Sequence, residues 1–338
     1  MLPDLQTLTI NLTHVLRNHG FAGAQLSILD RQPNIYTATF PSEIVRCQLG
    51  NGRELRLLCK YGAGYSTSLS GITGHRGGIP YEAAVYRHVL RTSRATTPTF
   101  YGAYSDVNTG HTCLVLEYLN NSARLQFTWK PPAAMALAAR WLGRFHNDTE
   151  EYLSRASTRF LTRYDTEYYL GWARCTSLVA GHLGQRYPWL TTLCGRFEDV
   201  VALLFASPPT VIHGEYYPSN VLFRGGTVYP VDWESAAVAA GEIDLAALTE
   251  DWDSDIVRQC ELEYQRVRWP NGSPADFERR LCSARLYLQF RWLCDAFTSK
   301  GTGRERPKWS HEWTDPLDRL EQLRSLGEGL GLIGQDCQ

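Results

Sequence analysis

The chain has 338 residues, and its 34 lysines and arginines nearly balance its 35 aspartates and glutamates, which leaves a formal net charge of -1. This balance excludes a protein that holds nucleic acid by bulk electrostatic attraction, because such proteins carry a basic excess. The 10 tryptophans, 18 tyrosines and 12 phenylalanines exclude a disordered chain, and the length predicts about two domains.

The first twenty residues predict an amphipathic helix that ends at Gly20, because apolar residues recur in it at three- to four-residue spacing. They lack the basic and apolar regions of a secretory signal, and the longest apolar run, 200–206, is far shorter than the roughly 20 residues of a membrane span. Nine scattered cysteines without a CxxC pair predict reduced core thiols. We therefore expect a cytoplasmic protein with no membrane segment and no nucleic-acid partner.

The segment after this helix predicts a β-rich region. Strands are expected at 25–29, 35–40, 43–49 and 54–61, and the turn Gly50-Asn51-Gly52 makes the last two strands a hairpin. The Gly/Ser/Thr-rich stretch 62–78 predicts a loop. A helix that has Pro80 in its first turn follows, and then two further strands at 99–104 and 112–118.

From Lys130 onward the pattern is mainly helical. Helices are expected from Pro131, over 187–206 and, after a short β-rich island at 210–234, over the stretches 242–268, 273–298 and 312–326. The change from strands to helices falls near 119–122.

The β-rich island carries the residues with chemical potential. His213, Glu215, Asn220 and Asp232 lie within twenty residues, and a Gly-Gly turn folds the two short strands between the last two into a hairpin. The hairpin places the amide of Asn220 beside the carboxylate of Asp232, and such hard oxygen ligands suit Mg²⁺. Glu215 could accept a proton from an attacking hydroxyl. The plainer alternative is that these are ordinary turn residues.

Two charged residues in the β-rich half extend this pattern. Lys60 lies in the apolar strand sequence LLCKY, where an ammonium group needs a partner, and Glu82 lies on the next helix. A strand lysine paired with a helix glutamate can hold the α- and β-phosphates of a nucleotide. Taken singly, each residue is more typical of a solvated surface charge.

The order of strand Lys, helix Glu, LVLEYL, HGExxxxN and VDWE resembles the aminoglycoside phosphotransferase / choline kinase-like family, from about 25 to 300 and most strongly over 211–248. The resemblance implies an α+β, protein-kinase-like bilobal fold. Residues 1–20 would form an N-terminal helix and 21–119 a β-rich, nucleotide-binding N-lobe. Residues 120–338 would form a helical C-lobe with the catalytic loop, the metal site and the acceptor site, and the nucleotide cleft would lie between the lobes.

The resemblance also assigns the nucleotide-binding residues. Lys60 would hold the α- and β-phosphates of ATP or GTP, positioned by Glu82. In the hinge, the Glu117 carbonyl and the Leu119 amide would meet the adenine edge, with Leu116 behind the base.

The catalytic residues follow in the same way. Glu215 stands where the family has its catalytic aspartate, and Asn220 and Asp232 would bind Mg²⁺. His213 would be a structural residue of the catalytic loop, which Asp244 would brace from a helix start, where a carboxylate is also favoured.

The sequence departs from the family pattern in two places. HGE replaces HGD, and the extra methylene moves the carboxylate by about 1.5 Å. No glycine-rich phosphate loop precedes Lys60, and the stretch 37–42 takes its place. The hydroxyls of Thr37, Thr39 and Ser42 could contact phosphates there, or the stretch could be a simple β-turn.

The expected function is therefore an ATP- or GTP-dependent O-phosphotransferase that uses Mg²⁺ and acts on a small hydroxylated molecule, as a monomer or weak homodimer. An aminoglycoside or nucleoside antibiotic in a resistance setting is one such acceptor. A catalytically silent nucleotide-binding regulator and a kinase of an amino alcohol or sugar are the alternatives. A protein kinase is disfavoured because D-F-G and A-P-E segments are absent.

The sign of the acceptor's charge stays open at this stage. The acidic run 250–263 would attract a cationic acceptor, whereas Arg291 and the basic loop 300–308 would suit an anionic one. For both the run and the loop, the plainer alternative is a solvated surface, which is the more common role of such stretches.

Overall fold

A computed structural model of the chain describes residues 2–21, 25–35, 40–63, 76–106, 110–183, 186–300 and 316–334. Thr37, Thr39 and most of the loop 300–308 lie outside these residues, as does most of the expected strand 35–40. The described part has a β-sheet in its N-terminal region and is mainly helical after it.

The N-terminal region is a five-stranded antiparallel sheet with the strand order β1-β2-β3-β5-β4. The strands are β1 (Leu26–Pro33), β2 (Ser42–Leu49), β3 (Glu54–Gly62), β4 (Phe100–Ser105) and β5 (Thr112–Glu117). Helix α1 (Leu5–Asn18) begins at Asp4, whose carboxylate accepts a hydrogen bond from the Thr7 amide at 2.8 Å. Its apolar face covers one side of the sheet.

Strand β5 is buried on both faces, because successive side chains point to opposite sides of a sheet. Cys113 and Val115 pack into the core under α1, whereas Leu114 and Leu116 face the larger core shared with the helices. Helix α2 (Gly78–Val85) lies on that second side and continues as a π-helical turn, Tyr86–Leu90. Strand β5 is therefore held from both sides.

The rest of the described chain has eight helices and two small sheets. The helices are α3 (Pro131–Glu150), α4 (Thr166–Leu183), α5 (Pro188–Gly195), α6 (Phe197–Phe205), α7 (Glu242–Leu248), α8 (Ser254–Arg268), α9 (Phe277–Lys300) and α10 (Pro316–Gly329). One sheet joins β6 (Ala123–Arg124), β9 (Val221–Arg224) and β10 (Thr227–Pro230) in the order β10-β9-β6. The other joins β7 (Thr162–Arg163), β8 (Pro209–Ile212) and β11 (Ala237–Ala240) in the order β7-β11-β8.

Two helix expectations were wrong in detail, and one helix was not expected. The expected helix 187–206 is two helices that meet at Arg196, and the expected helix 242–268 is interrupted at Asp251, whose φ is +59°. Helix α4 was not predicted, because its glycines and aromatic residues obscure the apolar period. Its start has a side-chain signal, since the Asp165 carboxylate accepts a hydrogen bond from the Tyr168 amide at 2.8 Å.

None of the helices in the described ranges combines the length and the apolar character that a membrane crossing requires.

The expectation that all cysteines are reduced thiols was wrong for one pair. Cys175 of α4 and Cys294 of α9 form a disulfide, with their Cα atoms 5.7 Å apart. The two helices pack side by side, and a sequence separation of 119 residues hides this proximity from any local pattern. Both residues are buried, so the bond crosslinks the interior of the helical region.

We predict that denatured, unreduced protein reacts with two fewer equivalents of a thiol alkylating agent than denatured, reduced protein, as mass spectrometry can count. Opening the crosslink should lower the free energy of unfolding by about 2–4 kcal/mol, because it frees a long loop in the unfolded chain. Cys175→Ser is the control for labelling, since the variant should gain a reactive Cys294. Equal thiol counts in wild-type protein before and after reduction would contradict the assignment.

Candidate active site

The island around 213–232 folds as a loop and a tight hairpin. Strand β8 leads into His213, and β9 and β10 form the hairpin that returns to Asp232. The Val231 amide donates to the Asn220 carbonyl at 2.9 Å, and His213 Nε2 contacts the Val231 carbonyl at 2.9 Å. The Asn220 side-chain amide donates to the Glu215 carbonyl at 3.0 Å. These contacts bring all four residues of the island together.

Gly214 fixes how closely the loop approaches the segment after Asp232. Its φ is +81°, and a Cβ atom at this position would lie 2.2 Å from the Ser235 carbonyl oxygen. Only glycine fits both the backbone conformation and the space.

The buried carboxylate of Asp244, at the start of α7, braces this loop. It accepts hydrogen bonds from the His213 amide at 2.6 Å and the Gly214 amide at 2.9 Å. His146 of α3 contacts the same carboxylate at 3.3 Å and the Tyr264 hydroxyl at 2.9 Å. The sequence analysis missed His146, which lies on the buried face of its helix among apolar residues.

Lys60 of β3 lies between two carboxylates. Its ammonium donates to Glu82 Oε2 at 2.6 Å and to Asp232 Oδ1 at 2.7 Å. Burial alone would lower the pKa of Lys60, but Asp232 and Glu82 raise it above its ordinary value. Burial raises the pKa of Glu82, whereas Lys60 outweighs burial at Asp232 and holds the pKa of that carboxyl below its ordinary value. Asp232 has φ +71°, in the left-handed region.

Glu215 is held by two arginines that the sequence analysis did not connect with it. Arg76, just before α2, donates to Glu215 Oε1 at 2.8 Å, and Arg291 of α9 donates to the same oxygen at 2.7 Å. Arg291 is buried and also donates to the Gly214 carbonyl at 2.9 Å. The two guanidinium groups stabilise the charged form of the carboxylate and fix its position.

These groups line one cavity of about 570 Å³ between the sheet and the helical region. Beside the chain from Glu117 to Leu119, apolar walls are supplied by Leu58, Leu116, Leu222 and Val231. Leu116 and Leu119 are buried, and the Glu117 carboxylate accepts a hydrogen bond from the Thr99 hydroxyl at 2.8 Å. The cavity has the size and the mixed lining of a small-molecule site.

The segment in place of a glycine-rich loop is described only at its end. Ser42 begins β2, lines the cavity and accepts a hydrogen bond from the Asn34 side chain at 3.0 Å. Thr39 lies outside the described residues.

The donor set at Asn220 and Asp232 fits Mg²⁺ and no softer metal. The hydrogen bond from the Asn220 amide nitrogen to the Glu215 carbonyl leaves the amide oxygen as its donor toward a cation. Within the described ranges, no group of three or more His, Cys, Asp or Glu side chains is placed to hold a metal ion. The amide of Asn220 and the carboxylate of Asp232 would supply only two protein ligands. A cation held there would complete its coordination with phosphate oxygens and water, as Mg²⁺ does in proteins.

The acidic run 250–263 does not line the cavity. Arg319 pairs with Glu250 at 2.8 Å, Arg285 with Glu261 at 2.6 Å, and Arg140 with Glu263 at 2.6 Å. These ion pairs are internal to the helical region, so the run gives no support to a cationic acceptor.

Glu234, two residues after Asp232, also lines the cavity and was missed as a site residue. Its side chain is almost fully buried, and its Oε2 atom has no hydrogen-bond partner among the described residues. Burial raises the pKa of Glu234 to about 8, helped by the nearby Asp232 carboxylate. The sequence feature that could have identified Glu234 as a site residue is its position in the motif VDWE.

Comparison with known proteins identifies the relationship. A model of the phosphotransferase enzyme family matches residues 74–274, which is more than half of the chain. The chain belongs to the phosphotransferase enzyme family. This membership confirms the family suggested by the motifs and the predicted class of enzyme. A search of curated proteins found no match to the chain.

Solved structures of phosphotransferases share the fold. Choline kinase LicA from Streptococcus pneumoniae matches with a TM-score of 0.61 and 11% identity over 97% of this chain and 99% of its own. Spectinomycin phosphotransferase APH(9)-Ia, in complex with ADP and spectinomycin, matches with a TM-score of 0.59 and 11% identity over 98% and 100%. The GDP complex of an aminoglycoside 2'-phosphotransferase-IIIa mutant matches at 0.60 and 12% over 95% and 98%. These similarities confirm the predicted α+β, protein-kinase-like fold.

We predict that the stability of this phosphotransferase falls as the pH drops below about 6.5, the ordinary pKa of histidine. Burial lowers the pKa values of His146 and His213, so the unfolded chain binds protons there that the folded chain does not. His146→Gln should reduce the slope of unfolding free energy against pH by up to about 1.4 kcal/mol per unit. Chemical denaturation at several pH values measures it. His14→Gln, on the exposed face of α1, is the control, and an unchanged slope in His146→Gln would refute the explanation.

Proposed function

We propose that the protein transfers the γ-phosphate of ATP or GTP to a hydroxyl group of a small molecule and uses Mg²⁺ to do so. The observation that carries the proposal is the convergence of Lys60, Glu82 and Asp232 with Glu215 and Asn220 around one cavity. Phosphoryl transfer needs positioned charges more than covalent chemistry, and this set supplies them.

The nucleotide would lie with its base at the hinge and its phosphates toward Lys60. The apolar walls around Leu116 fit a flat base, and the backbone of Glu117 and Leu119 lies beside them. Glu82 and Asp232 hold the Lys60 ammonium on the opposite side of the base slot, so it needs no reorganisation to meet the α- and β-phosphates. The GDP and ADP in two complexes of the same fold support a nucleotide donor.

Glu215 would accept the proton of the acceptor hydroxyl. The oxygen of that hydroxyl forms a bond to the γ-phosphorus, the bond from this phosphorus to the bridging oxygen breaks, and the nucleoside diphosphate leaves. Because Arg76 and Arg291 both bind Oε1, the longer glutamate side chain has one fixed position. The two arginines thereby offset the freedom that the extra methylene adds relative to aspartate.

Asn220 and Asp232 would hold the metal ion against the phosphates. When bound, Mg²⁺ would neutralise charge on the phosphate oxygens. The role of Asp244 and His213 is to keep the loop that carries Glu215 and Asn220 in place, through the hydrogen bonds to the two loop amides.

The acceptor side lies between Glu215 and helix α9, where Tyr217, Trp292 and Asp295 line the cavity. We propose a polyhydroxylated acceptor with a ring, for which an antibiotic of the aminoglycoside or nucleoside type is the first candidate, in a resistance role. The spectinomycin complex of a protein with this fold supports that order of testing. We further propose that the chain works in the cytoplasm, where ATP is abundant. We also propose that residues 21–119 form the N-lobe and residues 120–338 the C-lobe.

We predict that Glu215→Gln lowers the turnover number by about 10²–10⁴-fold, because the proton acceptor is lost, while the Kd for nucleotide changes by less than about two-fold. The assay follows label from γ-labelled ATP or GTP, with Mg²⁺, into aminoglycosides, nucleoside antibiotics, sugars and amino alcohols. Glu215→Asp should retain more activity than Glu215→Gln, and Glu167→Gln, on an exposed face of α4, is the matched control. Nucleotide binding without phosphorylation of any panel member would favour a silent regulator instead.

We predict that Asp232→Asn abolishes the dependence of nucleotide affinity on Mg²⁺, because the amide is a weaker ligand and leaves Lys60 with one carboxylate. The measurement is the Kd for ATP by calorimetry with Mg²⁺ and with chelator. Wild-type protein should bind at least about 10-fold more tightly with Mg²⁺, a difference of 1.4 kcal/mol or more. An Asp232→Asn protein that keeps both this difference and full activity would remove Asp232 from the metal site.

A further inference from the structure

Arg76 belongs to the cavity's charged cluster, and neither the motifs nor the family relationship assigns it a role. It immediately precedes α2 and lies outside every motif quoted above. Its side chain is 39% exposed, and it reaches across the cavity from the sheet side to the catalytic loop of the helical region. The contact with Glu215 joins residues 139 positions apart in the sequence.

The backbone next to Arg76 is fixed to the metal-binding segment. The Gly77 amide donates to the Glu234 carbonyl at 2.7 Å, and a Cβ atom on Gly77 would lie 2.3 Å from the Tyr81 ring. The Tyr81 hydroxyl in turn donates to the Ala236 carbonyl at 2.6 Å. The start of α2 is thus docked on the chain just after Asp232, so the root of the Arg76 side chain has a defined place beside the reacting groups.

The guanidinium of Arg76 lies within a ring of acidic groups. Its Nη2 atom is 2.8 Å from Glu215 Oε1, and its Nε atom is 3.8 Å from Glu234 Oε1. The Glu215 and Glu234 carboxylates hold the pKa of Arg76 above its ordinary value despite the partial burial of its side chain, so it stays a cation. Asp232 and Lys60 line the same cavity, and Arg76 helps to keep the pKa of the Asp232 carboxyl low.

Glu215 has a second arginine that can hold it alone. Arg291 is buried, with its guanidinium bound to the Gly214 carbonyl and to Glu215. Arg76 is much more exposed and makes no second backbone contact of this kind among the described residues. Arg291 is therefore fixed against the loop, whereas Arg76 can leave Glu215 for another hydrogen-bond acceptor.

Resting on the proposed function, we propose that Arg76 is a catalytic residue that moves from Glu215 to the γ-phosphoryl group during transfer. The segment before Lys60 has no glycine-rich sequence to surround the phosphates, and the charge that builds on the transferred group needs a donor close to Glu215. The exchange is balanced, because the acceptor's proton goes to Glu215 as the guanidinium leaves it. Arg76 itself neither gains nor loses a proton, and it donates hydrogen bonds to the phosphoryl oxygens.

The proposal predicts different effects on two complexes, one with the product nucleotide and one that mimics the transition state. An arginine that touches the transferring group should matter for ADP with Mg²⁺ and aluminium fluoride, which mimics that group, and little for ADP with Mg²⁺ alone. If Arg76 only positions Glu215, Arg76→Ala should change the affinity of the aluminium fluoride complex by the same factor as Glu215→Gln.

The experiment measures the Kd of both nucleotide complexes for the full-length chain by calorimetry. We expect Arg76→Ala to leave the Kd of ADP with Mg²⁺ within about three-fold and to weaken the aluminium fluoride complex by about 100-fold or more. Arg76→Lys should fall between, since a point charge replaces a planar fork. Glu215→Gln should keep most of the affinity that aluminium fluoride adds to the complex of ADP with Mg²⁺. Arg174→Ala, on an exposed face of α4, is the control.

The outcomes divide clearly. Wild-type protein that binds no nucleotide refutes the proposed function. Wild-type protein that binds ADP but gains nothing from aluminium fluoride, or an Arg76→Ala protein that keeps the full gain, overturns the role of Arg76 and leaves nucleotide binding intact. Equal losses in Arg76→Ala and Glu215→Gln would reduce Arg76 to a positioning residue and so also overturn it.

Discussion

The ion-paired cluster at Lys60 is the interaction on which the rest of the site depends. The ammonium joins a strand of the sheet, a helix packed on it and the loop after the hairpin, through hydrogen bonds of 2.6 Å to Glu82 and 2.7 Å to Asp232. A buried carboxylate without this partner would carry a large desolvation cost. Glu82 is fully buried, so the cluster holds the sheet and the helical region in one arrangement and leaves the lysine beside the cavity.

A second buried carboxylate, Asp244, fixes the loop that carries Glu215, as Glu82 fixes the lysine. It satisfies two consecutive backbone amides that point inward, at His213 and Gly214, and such groups are costly when they are buried without an acceptor. The loop can then expose Glu215 and Asn220 to the cavity. Asp244 does not line the cavity, whereas Arg291 both binds the Gly214 carbonyl of the loop and lines the cavity.

The parts of the site that the sequence predicts well are the local ones. A tight hairpin dictates that Asn220 and Asp232 are neighbours, and the period of the strands and of helix α3 follows from apolar spacing. Contacts between distant segments carry no such signal. Arg76 and Arg291 lie 139 and 76 residues from Glu215, and each alone has the look of a solvated charge.

Burial and ion pairing also determine whether the acidic run 250–263 can attract a cationic acceptor, and neither can be seen in the composition. The motif order identified the family, but only the three-dimensional arrangement shows that Glu250, Glu261 and Glu263 of this run pair with arginines of surrounding helices. The interruption between α7 and α8 is also hidden in the sequence, because the chain between Leu248 and Ser254 includes Asp251 with φ +59° while the apolar period continues on either side.

The crosslink in the helical region has a consequence for how the site can evolve. Cys294 lies three residues after Arg291 on α9, so the same turn of helix is joined to α4 by the disulfide and to the loop that carries Glu215 by the guanidinium. One inserted residue between the two would rotate one anchor relative to the other by about 100° around the helix axis. A length change in this turn would therefore displace one of the two anchors, whereas substitutions at Trp292 and Asp295, which line the cavity, would leave both in place.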